Sequence, residues 1–91
     1  MDKKRPLADV LNAASIEFVL TDLDVAMTLM DVASTTTADE TAQRNHQNAR
    51  TAYDSMLRLL PHIKLSASQQ YALEEKLAIL KARLESIGQQ F

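Results

Sequence analysis

The feature that most constrains this chain is how few of its residues can interrupt a helix. Its 91 residues include one glycine and two prolines, Pro6 and Pro61. Along the chain, apolar residues recur every three or four positions, whereas the sustained alternation that is typical of strands is absent. The sequence therefore predicts an all-α fold, either a three-helix antiparallel bundle or a repeat-like helical hairpin with one additional packed helix.

Two sequence motifs predict where the second and third helices begin. Thr37 with Glu40, and Ser66 with Gln69, have the spacing of capping boxes. In such a box two side chains satisfy the free backbone N–H groups at the start of a helix. We therefore expect one helix to begin just after Thr37 and another just after Ser66.

The ends of the helices are predicted from residues that disfavour helix or stop it. The hydroxyl-rich run from Ser34 to Thr37 is expected to interrupt the first helix, Leu60 to end the second, and Gly88 to follow the third. All three helices are assigned to a single domain of residues 1–91. Their predicted ranges are about 7–33, 38–60 and 67–87.

Two apolar stripes run along the first predicted helix, where one would suffice for a core. The predicted core stripe consists of Ile16, Val19, Leu20, Leu23, Ala26, Met27, Met30 and Ala33. The second stripe consists of Leu7, Leu11, Ala14, Phe18, Val25, Leu29 and Val32, and its six residues larger than alanine are here called the outer row. Either the other two helices straddle the first and cover both stripes, or a second chain covers the outer row. We expect the second arrangement, in which the outer row is an interface.

On the third helix, large apolar residues follow the spacing of a heptad seam. These residues are Leu73, Leu77, Leu80, Leu84, Ile87 and Phe91. The seam is predicted to face the core and to pair this helix with its neighbours.

Composition excludes several classes of function. The absence of cysteine excludes disulfides, thiolate catalysis and cysteine-based metal sites, and one glycine cannot make a phosphate-binding loop. The only basic run, Lys3-Lys4-Arg5, is followed by Pro6 and by polar residues rather than by an apolar segment, so it does not resemble a signal peptide. We therefore expect a cytoplasmic protein that does not bind a membrane.

Acidic residues of the first helix form a second regular feature. Glu17, Asp24 and Asp31 repeat every seven residues, about 10 Å apart along a helix, which is too far to share a metal ion. These three residues, here called the acidic row, are predicted to form a solvated face.

Asp22 lies outside the acidic row, beside the outer row. Because an unpaired buried carboxylate would cost several kcal/mol, Asp22 is expected either to reach solvent or to pair with Arg44 or Arg50.

No group of residues has the spacing of a catalytic or metal site. His46 lies within the apolar stripe of the second helix and lacks a histidine or carboxylate three or four positions later, which helical metal sites need. A deep polar pocket around His46 would be the sign of an enzyme. We expect no catalytic residue, cofactor, metal ion or small-molecule substrate.

Residues 49–61 resemble the second helix of a tetratricopeptide repeat. Ala49, Tyr53, Met56 and Pro61 stand where that family places a small residue, an aromatic, another small residue and a closing proline. The resemblance implies a repeat-like helical hairpin and a role in protein binding. The whole chain is also similar to short helical bacterial proteins without an assigned activity, which implies a fold but no chemistry.

These features lead to one expectation about function and one alternative. We expect a small non-enzymatic interaction module that binds itself, as a homodimer, or another helical protein through the outer row. The alternative is a nucleic-acid accessory protein that uses Arg44, Arg58, Lys64 and the basic N-terminus.

Overall fold

The computed structural model describes residues 7–91 and contains three α-helices. Helix α1 spans Leu7–Thr35, α2 spans Asp39–Leu59 and α3 spans Ala67–Ser86, with a short 3-10 turn at Leu60–His62 between α2 and α3. Within residues 7–91 there is no strand, and the predicted all-α class is confirmed. The basic run at residues 3–5 lies outside the described part.

Helix α1 is continuous and ends at Thr35, inside the hydroxyl-rich run that was predicted to interrupt it. The Ser34 hydroxyl donates a hydrogen bond to the Asp31 carbonyl at 2.8 Å, and Thr35 donates to the Val32 carbonyl at 3.2 Å. Hydroxyl groups that bond back to the preceding turn are compatible with a helix end. The helix therefore extends two residues beyond the predicted limit.

The start of α2 contradicts the predicted capping box. The residue before the helix is Ala38, and no side chain caps the first turn, so Thr37 and Glu40 do not form a box. The physical reason is that the N-cap position falls on Ala38, which has no side-chain oxygen, after a turn in which the Ala38 N–H donates to the Thr36 hydroxyl at 3.2 Å. Asp39 and Glu40 still place negative charge at the positive end of the helix dipole.

Both ends of α3 agree with their local signals. The Gln69 N–H donates to the Ser66 hydroxyl at 3.2 Å and the Ser66 N–H donates to the Gln69 side chain at 2.9 Å, so this capping box is confirmed. At the other end, Gly88 has a φ of +96°. Its N–H donates to Glu85 at 3.0 Å, while the next N–H reaches the Leu84 carbonyl at 3.1 Å, which is a Schellman motif.

The core lies along the predicted core stripe of α1 and the apolar faces of α2 and α3. Leu23, Met56 and Leu80 are among its largest fully buried side chains. Ala49, Tyr53 and Met56, which carry the resemblance to a tetratricopeptide helix, are also buried. The remaining buried apolar residues are Val19, Ala26, Met30, Ala33, Ile63, Leu73, Leu77 and Leu84.

The predicted seam of α3 holds only as far as Leu84. Ile87 and Phe91 are 40% and 48% exposed, because α3 ends at Ser86 and the turn at Gly88 directs the last residues away from the helix axis. Phe91 instead packs on α2, where its ring meets that of Tyr53 edge-on with centroids 5.1 Å apart.

Helices α1 and α3 run parallel, with α2 connecting the far end of one to the start of the other. Three contacts between α1 and the α3 segment keep the same separation of 52 residues along the chain. Asp24 pairs with Lys76 at 3.4 Å and Asp31 with Arg83 at 2.7 Å. Asp24 and Asp31 remain 71% and 70% exposed, so the acidic row is solvated as predicted, and two of its members also make surface ion pairs with α3.

The third contact joins α1 to the segment before α3. The Asn12 side chain donates to the Lys64 carbonyl at 2.9 Å and accepts from the Lys64 N–H at 2.6 Å. The amide thus holds both backbone groups of one residue. Together with the two ion pairs, this contact sets the position of α3 along α1.

Candidate interaction surface

The outer row of α1 lies on the surface of the described chain. Leu7 is 72% exposed, Leu11 and Phe18 are each 58% exposed, and Val25 is 49% exposed. Val32, at the far end, is also exposed. The structure therefore does not place α2 and α3 on both sides of α1, and this apolar face is left without a covering element from residues 7–91.

The position of the outer row follows from the acidic row. Phe18, Val25 and Val32 each come directly after a member of the acidic row and directly before a buried residue. Consecutive residues are about 100° apart around a helix axis. Because the acidic row meets α3, the outer row is turned about 100° away from α3 and toward solvent.

Leu29 differs from the rest of the outer row. Its side chain is half-buried and packs against the core cluster. Leu29 therefore connects the outer row to the interior, and a change there would affect both folding and any contact made by the outer row.

Asp22 borders the outer row and is half-buried. Of the two outcomes expected for Asp22, pairing with Arg44 or Arg50 is the one that does not occur. Arg44 lies 3.9 Å from Glu40, and Arg50 pairs with Asp54 at 3.2 Å. Both arginines are thus held by carboxylates one turn away on α2 itself.

One flank of α2 extends this surface, and the sequence analysis missed it. Asn45, Ala52 and Leu59 are half-buried and repeat every seven residues. Ala52 comes two residues after Arg50, and Leu59 comes two residues after Leu57; both Arg50 and Leu57 face the α3 side. Two residues correspond to about 200° of rotation around the helix axis. These three residues, here called the α2 flank, therefore lie on the side away from α3, and they carry no charge. Their seven-residue spacing was a signal that could have identified them.

Other exposed apolar residues do not form a comparable row. Tyr71 and Ile79 are exposed on α3, and Leu57 lines an open cleft of about 400 Å³ with Leu60, Pro61, Ile63, Leu65 and Leu73. Phe91 packs within the chain, with the Arg50 guanidinium 3.9 Å from its ring centroid and the Lys81 ammonium 5.4 Å away. Among residues 7–91, the outer row holds more exposed large apolar side chains than any other helix face.

The region around His46 is an open cleft of about 220 Å³. His46 is half-buried there, and its polar neighbours include Ser34, Arg83 and Ser86. Ser34 donates to the Asp31 carbonyl and Ser86 to the Arg83 carbonyl. Both hydroxyls are therefore directed at their own helices, and the cleft does not present convergent polar groups.

Two other kinds of functional feature are absent from residues 7–91. No group of three or more histidine, aspartate or glutamate side chains is arranged to hold a metal ion. No helix in this range has the length and apolar character required to cross a bilayer.

The basic residues of the alternative function make local contacts in the described part. Arg44 lies beside Glu40, and the Arg58 guanidinium donates to the Ser55 hydroxyl at 3.3 Å. The Lys64 backbone is held by Asn12. A carboxylate beside Arg44 weakens the positive potential that binding to phosphates requires.

Comparison with models of protein families, with curated proteins and with solved structures finds no match to this chain. Inference about function therefore depends on the surface itself.

Proposed function

We propose that this chain is a small, cytoplasmic, non-enzymatic helical interaction module that forms a homodimer through the outer row. The observation that carries the proposal is the exposure of Leu7, Leu11, Phe18, Val25 and Val32 on one face of α1. The row covers about 38 Å of helix, in a molecule whose longest dimension is 57 Å.

The size of the surface is compatible with a specific interface. Six residues of this kind bury on the order of 400–600 Å² per subunit, and the total approaches the ~1,000 Å² that a specific interface needs. The α2 flank adds half-buried small and apolar residues beside the row. Contiguous apolar surface of this extent is typical of sites that bind another protein.

The character of the surface favours a second copy over a charged partner. The outer row itself carries no charged residue, and the α2 flank carries none either. Asp22 is the one carboxylate at the edge of the row. In a two-fold symmetric dimer the same surface of both copies is in contact, and an uncharged apolar row can make that contact without charge repulsion.

Sedimentation equilibrium or light scattering at micromolar concentration tests the proposal. The wild-type chain is expected to have the mass of a dimer. Phe18→Glu should weaken dimerisation by at least about 100-fold, because it places a charge in a desolvated contact. Circular dichroism should show unchanged helicity, since Phe18 is 58% exposed in the single chain.

Tyr71→Glu is the matched control. Tyr71 is 69% exposed on α3, outside the outer row, so this substitution should leave the dimer intact. A monomeric wild-type chain, or equal weakening by Phe18→Glu and Tyr71→Glu, would contradict the proposal.

A further inference from the structure

The outer row has a symmetry that determines how two copies can meet. Leu7 and Leu29 stand eleven residues before and after Phe18, and Leu11 and Val25 stand seven residues before and after it. Reversing the direction of the helix about Phe18 therefore places these five apolar residues on one another, whereas Val32, fourteen residues after Phe18, has no counterpart within residues 7–91.

We infer that two copies pack α1 against α1 in antiparallel orientation, with the two-fold axis at Phe18. This inference rests on the proposed function, since it specifies the arrangement of the dimer. Phe18 then contacts its own equivalent, Leu11 contacts the second copy's Val25, and Leu7 contacts the second copy's Leu29. A two-fold axis makes each of these contacts occur twice, except the one at the axis.

Asp22 favours this arrangement over the alternatives. In a parallel dimer each Asp22 would lie beside its equivalent. In an antiparallel dimer whose two-fold axis lay between Thr21 and Asp22, the two carboxylates would also come together. Like charges in close contact repel each other. With the axis at Phe18, the two Asp22 residues are separated by about 12 Å along the helix.

The residues opposite Asp22 suit a carboxylate. Ala14 stands four residues before Phe18, as Asp22 stands four residues after it, so Asp22 meets the second copy's Ala14. Alanine leaves room there, and the adjacent half-buried Ser15 has a hydroxyl that can donate to a carboxylate. The single charge at the edge of the outer row thus has a polar neighbour in the dimer.

The α2 flank extends the same interface. It lies on the side of the α1–α2 pair away from α3, next to the outer row. In an antiparallel dimer the two flanks lie on the same side of the α1–α1 contact, because a two-fold axis perpendicular to the helices preserves that side. Helices α1 and α2 of both copies then form a four-helix arrangement, with α3 of each copy on the outside.

Disulfide cross-linking tests the arrangement, and the absence of natural cysteine makes it unambiguous. Leu11→Cys and Val25→Cys are prepared separately, then refolded together and oxidised. The mixture is expected to form at least about tenfold more linked dimer than either variant alone, because only the mixed pair brings the two Cα atoms within disulfide distance. Gln47→Cys, exposed on α2, measures linking by random collision.

The possible failures are distinguishable. Equal linking in Leu11→Cys alone and in the mixture indicates a parallel dimer and overturns the inference. If light scattering shows a dimer but the mixture links no more than Gln47→Cys, the axis is not at Phe18 and the inference is again overturned. If the unsubstituted chain is a monomer, the proposed function itself fails, and the arrangement with it.

Discussion

The two faces of α1 have similar composition and opposite environments. Leu23 is fully buried, whereas Val25, two residues later, is 49% exposed. Both faces consist of aliphatic residues with a phenylalanine or methionines among them. The contrast shows that an apolar pattern indicates which residues avoid water, while the number of helices available decides which of them the chain covers by itself.

The two phenylalanines extend this comparison. Phe18 and Phe91 are 58% and 48% exposed, but Phe91 is held by Tyr53 and by Arg50 within the same chain. Phe18 has no aromatic or cationic partner among residues 7–91. Partial exposure therefore has two meanings here, and the contacts of the exposed ring distinguish them.

The largest expected effect separates the two faces of α1 directly. Leu23→Ala should lower the free energy of unfolding by about 2–5 kcal/mol, because it leaves a cavity in the core. Val25→Ala should change it by less than about 0.5 kcal/mol at concentrations where the chain is monomeric. Urea denaturation of dilute protein measures both. Similar losses for the two variants would break the comparison.

Removal of the Phe91 ring should have the next largest effect. Phe91→Ala is expected to cost about 1–2 kcal/mol, from the lost edge-on contact with Tyr53 and the lost cation–π contact with Arg50. Phe18→Ala, in the same dilute protein, should cost clearly less. Phe91→Leu is the control, since it keeps apolar area and removes only the aromatic contribution. If Phe18→Ala is the more damaging change, the two rings have been assigned the wrong roles.

The contact between Asn12 and Lys64 should contribute about as much as one ordinary hydrogen-bond pair. Asn12→Ala is expected to reduce the free energy of unfolding by about 1 kcal/mol. The reason is that the N–H and C=O groups of Lys64 then form hydrogen bonds with water instead of with the Asn12 side chain. Asn12→Asp keeps the acceptor oxygen and should lose less. Thermal unfolding measures the difference. An unchanged midpoint in Asn12→Ala would show that the Asn12–Lys64 contact does not help to hold α1 along α3.

The smallest expected effect concerns the acidic row. Asp31→Asn should cost a few tenths of a kcal/mol to about 1 kcal/mol, since Asp31 pairs with Arg83 in a solvent-exposed position. The cost should decrease as salt concentration rises. Glu17→Gln, in the same row but outside the two ion pairs, should have no effect. Denaturation at low and high salt measures both, and a salt-independent cost would contradict an electrostatic cause.

Features that depend on three or four neighbouring residues could be predicted from the sequence. The capping box of Ser66 and Gln69 and the turn at Gly88 form as expected, because their hydrogen bonds close within one helical turn. The box of Thr37 and Glu40 was wrong because a local turn, in which the Ala38 N–H donates to the Thr36 hydroxyl, places the N-cap at Ala38, and alanine has no side-chain oxygen with which to cap the helix.

Features that depend on the rotation of one helix against another could not be predicted. The partners of Asp24 and Asp31 lie 52 residues away, and no local pattern specifies that offset. The same limitation left open whether Asp22 reaches solvent or pairs with Arg44 or Arg50. It also explains why Phe91 was placed on the seam of α3, although it packs on α2 after the turn at Gly88.

The sequence by itself determined that this chain forms helices with two apolar faces on the first one. Helix formation and the alternation of apolar and polar residues follow from local backbone geometry, which the order of residues specifies. Only the tertiary structure decided which face is covered. Two short helices can cover one side of α1. Burial of Leu73, Leu77 and Leu80 places α3 on the side away from Phe18, and the ion pairs of Asp24 and Asp31 lie at the surface of that contact.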